Sequence, residues 1–97
     1  MKVIFTAAAL ADLDEILGYT GEHYPAVAAV VERRIRTVIE RIGEFPESGR
    51  RVEVRPGMRM VPVIRYPFRM FYRIVDDRVE LLHIHHVARR LWEQQPE

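Results

Sequence analysis

Between Pro25 and Pro46 the apolar residues Val27, Val31, Ile35, Val38, Ile42 and Phe45 recur at steps of 4, 4, 3, 4 and 3. That spacing keeps one face of an α-helix apolar from end to end. Pro25 suits the first helical turn, where its missing N–H has no intrahelical partner to lose, and Pro46 stops the helix. Glu32, Arg33, Arg36, Glu40, Arg41 and Glu44 lie largely off the stripe; Glu32–Arg36 is an attractive i,i+4 pair and Glu40–Glu44 a repulsive one. A stripe this long needs a second layer to cover it, and the rest of the chain must supply that layer.

Upstream, Ala9, Leu13, Ile16 and Leu17 repeat at helical spacing, with Leu10 at the edge of the stripe. Thr6 is placed to cap this first helix, and Asp12, Asp14 and Glu15 sit near its positive end. Gly18 and Gly21 mark its expected end. A few residues separate the helices, so an antiparallel hairpin is predicted. Lys2–Phe5 reads as a short strand before it.

Downstream the period changes to two. Residues 47–51 form a turn-rich linker, Val52 and Val54 a short extended piece, and Pro56-Gly57 a turn. Residues 58–65 read as extended, and Pro62 confines them to a sheet edge or a bulge. Phe68–Val75 is the strongest strand, with Phe68, Met70, Tyr72 and Ile74 on one face and Arg69, Phe71, Arg73 and Val75 on the other. With Asp76-Asp77 as a two-residue loop, the return strand sets Val75 opposite Arg78, Arg73 opposite Glu80 and Tyr72 opposite Leu81. Leu81-Leu82 breaks the alternation, which requires either two covered faces or a bulge. The expected fold is α+β: an N-terminal strand and an antiparallel helical hairpin packed on a twisted antiparallel sheet, in the order β-α-α-β-β-β. At 97 residues the chain builds one modest core, a single domain over residues 1–97.

The sequence has no cysteine, which excludes disulfides, thiolate catalysis and zinc-thiolate sites. It shows neither a signal peptide nor a membrane span, so a cytoplasmic protein with no membrane partner is expected. Residues 1–48 carry 5 basic and 8 acidic side chains, residues 49–97 carry 10 basic and 6 acidic, and 14 of the 15 basic residues are arginine. Arginine grips carboxylate and phosphate in bidentate fashion, so the second half suits an anionic partner, or else presents a solvated basic face.

Arg69 and Arg73 flank Phe71 on one face, an arrangement suited to phosphate or an acidic peptide with the ring offering stacking. Alternatively both snorkel and pair with Glu80 or Glu53. Arg65 lies just ahead of this strand. His83 and His85 share a face, while His86 points away from them. These histidines serve as hydrogen-bonded structural groups, or in partner binding or acid–base work. No metal-ligand spacing is present, so neither metal nor cofactor is expected. Arg89 and Arg90 extend the basic character, and Trp92 either plugs the sheet edge or contacts a target.

The order of short segments resembles the RelE/ParE toxin superfamily of type II toxin–antitoxin modules. The resemblance rests on Ala9, Asp12-Leu13 and Ile16 with Tyr19 beyond, Phe45-Pro46, Gly49-Arg50, the run Tyr66 to Ile74, and the tail His83 to Arg90. It implies a helical hairpin on a twisted sheet and a cognate antitoxin whose C-terminal segment wraps the toxin. It further implies either inhibition of DNA gyrase by binding or metal-independent cleavage of ribosome-bound messenger RNA. For a ribonuclease it carries over Arg69 and Arg89, and the residues themselves offer His83 or His86 as the acid or base. The lysines and the C-terminal tyrosine of that branch have no counterpart, and the tail looks more like the ParE branch. A further reading is a non-toxic module that binds a peptide or nucleic acid. The other positions singled out for target or partner binding are Arg65, Phe71, Arg73, His83, Arg90 and Trp92.

Overall fold

The computed structural model describes residues 1–87. β1 (Lys2–Phe5) passes directly into α1 (Ala7–His23) at Thr6. Thr6 Oγ1 accepts the Ala9 N–H at 3.1 Å, the expected cap, and the same hydroxyl lies 2.9 Å from the Leu81 carbonyl and 3.1 Å from that of Leu82. One residue thus starts the helix and ties it to the last strand.

α1 runs through Gly18 and Gly21 rather than ending at them. Buried Thr20, whose hydroxyl donates to the Ile16 carbonyl at 2.7 Å, holds that stretch against the core. The helix stops at Tyr24 because Pro25 follows and pushes the preceding residue out of helical geometry; Tyr24 has φ −137° and ψ 58°. α2 (Pro25–Glu44) then follows after a single residue. The apolar stripe divides as its neighbours dictate: Val31, Ile35 and Ile42 are buried, whereas Val27 and Phe45 at its ends are exposed.

The remaining strands are β2 (Arg50–Arg51), β3 (Met58–Val63), β4 (Phe68–Val75) and β5 (Arg78–His86), in the sheet order β1-β5-β4-β3-β2. β3 to β5 are antiparallel as expected, and β2 adds a short antiparallel strand within the stretch read as a turn-rich linker, where Arg50 and Arg51 pair with Met60 and Arg59. β1 instead joins β5 in parallel, from Lys2 beside Arg78 to Phe5 beside Leu81, so the sheet is mixed. A parallel neighbour needs a long connection, which the helical hairpin and the other strands provide.

The β4–β5 hairpin has the register read from the sequence: Val75 faces Arg78, Arg73 faces Glu80 and Tyr72 faces Leu81. Asp76 turns the loop at φ 54°, a left-handed conformation that aspartate tolerates. Phe71 pairs with His83, so Leu82 is the extra residue of a bulge. Val52 and Val54 do not form a strand. The Arg55 N–H bonds the Val52 carbonyl and the Met58 N–H bonds the Arg55 carbonyl, which folds that segment into successive turns. β3 ends at Val63, two residues earlier than expected, and Arg65 sits in a turn at φ 77°.

The helices cover one face of the sheet. Ala9, Val31, Ile35 and Ile42 pack with Val63, Met70, Tyr72, Val79, Leu81 and Ile84. Fully buried Tyr72 fastens the link from α2 to β2, its hydroxyl donating to the Pro46 carbonyl at 2.7 Å and accepting the Gly49 N–H at 2.9 Å.

Candidate functional site

Strand alternation sorts the candidate residues onto two faces. Away from the helices, Arg69 and Phe71 of β4 face His85 and His83 of β5. The rings form a chain, Phe71 to His85 at 5.1 Å and His85 to His83 at 5.1 Å between centroids. Arg69 is exposed and makes no ion pair with a described carboxylate. Arg73 shares this face but is committed, with Nη2 2.8 Å from Glu80 Oε1; Arg78 holds the other carboxylate oxygen at 3.2 Å. Of the two alternatives read from the sequence, Arg69 follows the open one and Arg73 the paired one.

The hydrogen bond from Arg73, followed by that from Arg78, holds the Glu80 carboxyl below its ordinary value. A depressed carboxyl contributes stability above its unfolded-state value and loses it as pH falls through the native one. Glu80→Gln is therefore expected to be less stable than the parent at neutral pH, with the difference vanishing in acid. Urea titrations from pH 7 to about pH 3 check this; a difference that grew toward acid would contradict it.

His83 reaches over the edge of β5 that β1 leaves uncovered. Its Nδ1 lies 3.5 Å from Asp12 Oδ2, and the same oxygen accepts the Ile84 N–H at 3.0 Å. Asp12 was read only as a favourable charge near a helix start; its role in closing a sheet edge depends on a partner 72 residues away.

His86 lies on the opposite, helix-facing side, edge-on to Phe68 at 5.3 Å. It borders a groove of about 820 Å³ that runs between the helical hairpin and the β3–β4 turn, with Tyr19, Tyr24, Val27, Tyr66 and Pro67 among its lining. Tyr19 stacks on His23 at 4.1 Å at the groove's end. Arg69 and His86 therefore project from opposite faces and do not converge on one phosphate. Arg65 stands exposed in its turn. Arg89, Arg90 and Trp92 lie outside the described residues. Among those described, no three His, Asp or Glu side chains converge as metal ligands. No helix among them is long and apolar enough to cross a membrane.

The groove was not read from the sequence, although it left a trace there: Val27 extends the stripe of α2 beyond the reach of the sheet. The family model of the ParE toxin of the type II toxin–antitoxin system parDE matches residues 3–91.

The chain belongs to the ParE toxin family.

Its relatives carry names from both arms of the superfamily. Toxin RelE2 of Caulobacter vibrioides is 33% identical over 88 residues, 91% of this chain and 97% of that protein. Putative toxin Y4kP of Sinorhizobium fredii is 36% identical over 93 residues, covering 96% and 94%. Toxin ParE3 of C. vibrioides is 34% identical over 85 residues, covering 86% and 83%. Among solved structures, the chromosomal ParDE system of P. aeruginosa superimposes with a TM-score of 0.79 at 27% identity, over 90% of this chain and 96% of that one. The YoeB/ParE toxin of Agrobacterium tumefaciens shares the fold, with a TM-score of 0.59 at 15% identity over 89% and 98%. This ParE-family chain is the toxin component of a type II module, and a cognate antitoxin is its partner.

Proposed function

We propose that the protein poisons DNA gyrase by binding it, and that the antitoxin blocks this by covering the toxin, with the groove between the helices as its main seat. The match of the ParE model across residues 3–91 carries this reading. The site geometry supports it. Arg69 and His86 stand on opposite faces, Arg73 is held by Glu80, and His83, which shares a face with Arg69, lies against Asp12. Tyr19, Tyr24 and Val27 offer the groove an exposed apolar surface of the kind that takes an amphipathic helix.

A second reading, metal-independent cleavage of messenger RNA on the ribosome, draws on the ring chain Phe71–His85–His83 beside Arg69, which offers stacking and a cation together. Induced expression separates the two, with and without the neighbouring reading frame. Gyrase inhibition predicts growth arrest with relaxed plasmids and intact messages, reversed by the neighbour. Cut messages with normally supercoiled plasmids would overturn it.

A further inference from the structure

Arg51 of β2 stands directly opposite Arg59 of β3. Just beyond them the Val52 N–H bonds the Met58 carbonyl at 2.9 Å, which makes Arg51 and Arg59 a non-hydrogen-bonded pair, the kind whose side chains lie closest in an antiparallel ladder. Arg59 in turn pairs with Tyr72, so both arginines leave the sheet on its helix-covered side, opposite to Arg69. A hollow of about 580 Å³ opens there, bordered by Arg51, Arg59 and Glu53, with Val52, Met58 and Ile74 forming an apolar wall. We propose that this hollow is a binding site for a small ribonucleotide: the two guanidiniums hold its phosphate, Glu53 accepts from a ribose hydroxyl and the apolar wall takes its base. The site is independent of the toxin–antitoxin reading.

Like charges directly opposite each other destabilise a sheet. Among the described residues nothing neutralises this pair: the arginines held in ion pairs are Arg36, Arg73 and Arg78. Arg59 is fixed by neutral acceptors, its Nη1 donating to the Glu47 carbonyl at 3.0 Å and the Gly49 carbonyl at 2.9 Å. Those bonds set the direction of the guanidinium and leave its charge uncompensated. The Arg51 side chain is exposed and enters no hydrogen bond or ion pair among the described residues. A fixed fork beside a free one suits a phosphate, whose oxygens accept from both and relieve the repulsion with directional hydrogen bonds.

Glu53 narrows the class of ligand. It borders the hollow without coming within ion-pair distance of either arginine. Its charge opposes a bare phosphate ion seated nearby. An ionised carboxylate accepts hydrogen bonds and donates none, and ribose hydroxyls bring the donors it requires. The wall selects in the same sense. Val52, Met58 and Ile74 offer apolar surface that a phosphate ion leaves uncovered and a base covers. The volume falls within the range of sites that enclose small molecules. Phosphate, sugar and base thus each have a counterpart, and a ligand lacking any one of them leaves a part of the hollow unused.

The test is isothermal titration of the full chain at low salt with 5′-AMP, adenosine and inorganic phosphate. AMP is expected to bind saturably and more tightly than adenosine or phosphate. Arg51→Gln should weaken AMP about tenfold or more, and Arg51→Lys, which keeps the charge but loses the fork, should give a smaller loss. Without ligand the glutamine variant should melt no lower than the parent, because it relieves the cross-strand repulsion, so lost binding is distinguished from lost folding. Glu53→Ala should narrow the preference for AMP over phosphate. Arg65→Gln removes an exposed arginine from the β3–β4 turn and should bind AMP as the parent does. Absence of saturable AMP binding, phosphate bound as tightly as AMP, or an equal loss in Arg65→Gln would overturn the proposal.

Discussion

Gly49→Ala is expected to destabilise the protein by about 3 kcal/mol, because it forces a methyl group into a packed site and disturbs a buried hydrogen bond together. A Cβ built on Gly49 would fall 2.8 Å from Tyr72 Cε1 and closer still to the phenolic oxygen. Tyr72 cannot yield. It is fully buried, and its hydroxyl is held by the Pro46 carbonyl at 2.7 Å and the Gly49 N–H at 2.9 Å. The linker must therefore lift away, and β2 goes with it. Tyr72→Phe keeps the ring and removes only the hydroxyl, which leaves the Gly49 N–H without its partner and should cost about 1–2 kcal/mol. Urea unfolding followed by circular dichroism ranks them: parent above Tyr72→Phe above Gly49→Ala. An alanine variant as stable as the parent would show that the close approach does not constrain the native state.

The second large effect separates two residues of one helical stripe. Ile35, 1% exposed, is enclosed by the core, and Ile35→Ala should cost about 2–5 kcal/mol through lost burial and the cavity left behind. Val27, 43% exposed, belongs to the same stripe but faces the groove. Val27→Asp should leave stability within about 0.5 kcal/mol of the parent. The same change places a charge in the apolar groove and should weaken capture of the antitoxin about tenfold or more, since an ion seated against an apolar partner surface is left unpaired. Melting temperature and antitoxin pull-down together decide the matter. A Val27→Asp protein that bound antitoxin normally would remove the groove from the account.

Local sequence signals marked out much of this fold because they were strong where tertiary context agreed with them. The two-proline frame of α2, the Thr6 cap and the alternation of Phe68–Val75 each have a local cause, and each stands in the structure. The hairpin register followed from the loop length alone, and Leu82 resolved the broken alternation as a bulge. The errors arose where distant contacts decide. Gly18 and Gly21 signal a helix end, but Thr20 and Pro25 set it later. Strand propensity favoured Val52 and Val54, but turn hydrogen bonds took their backbone groups. The parallel seating of β1 has no local signature. The site was legible in part. Alternation placed Arg69 with Phe71 and His83 with His85, but only the bulge at Leu82 brings the two pairs onto one face. The groove joins both helices, the β3–β4 turn and the last strand, and only the packed chain brings those together.

The most direct measurement is ATP-dependent supercoiling of a relaxed plasmid by purified gyrase, with this protein added in increasing amounts. The account predicts that supercoiling falls as protein is added and returns when the antitoxin is supplied first. Undiminished supercoiling at a large molar excess of folded protein would contradict it.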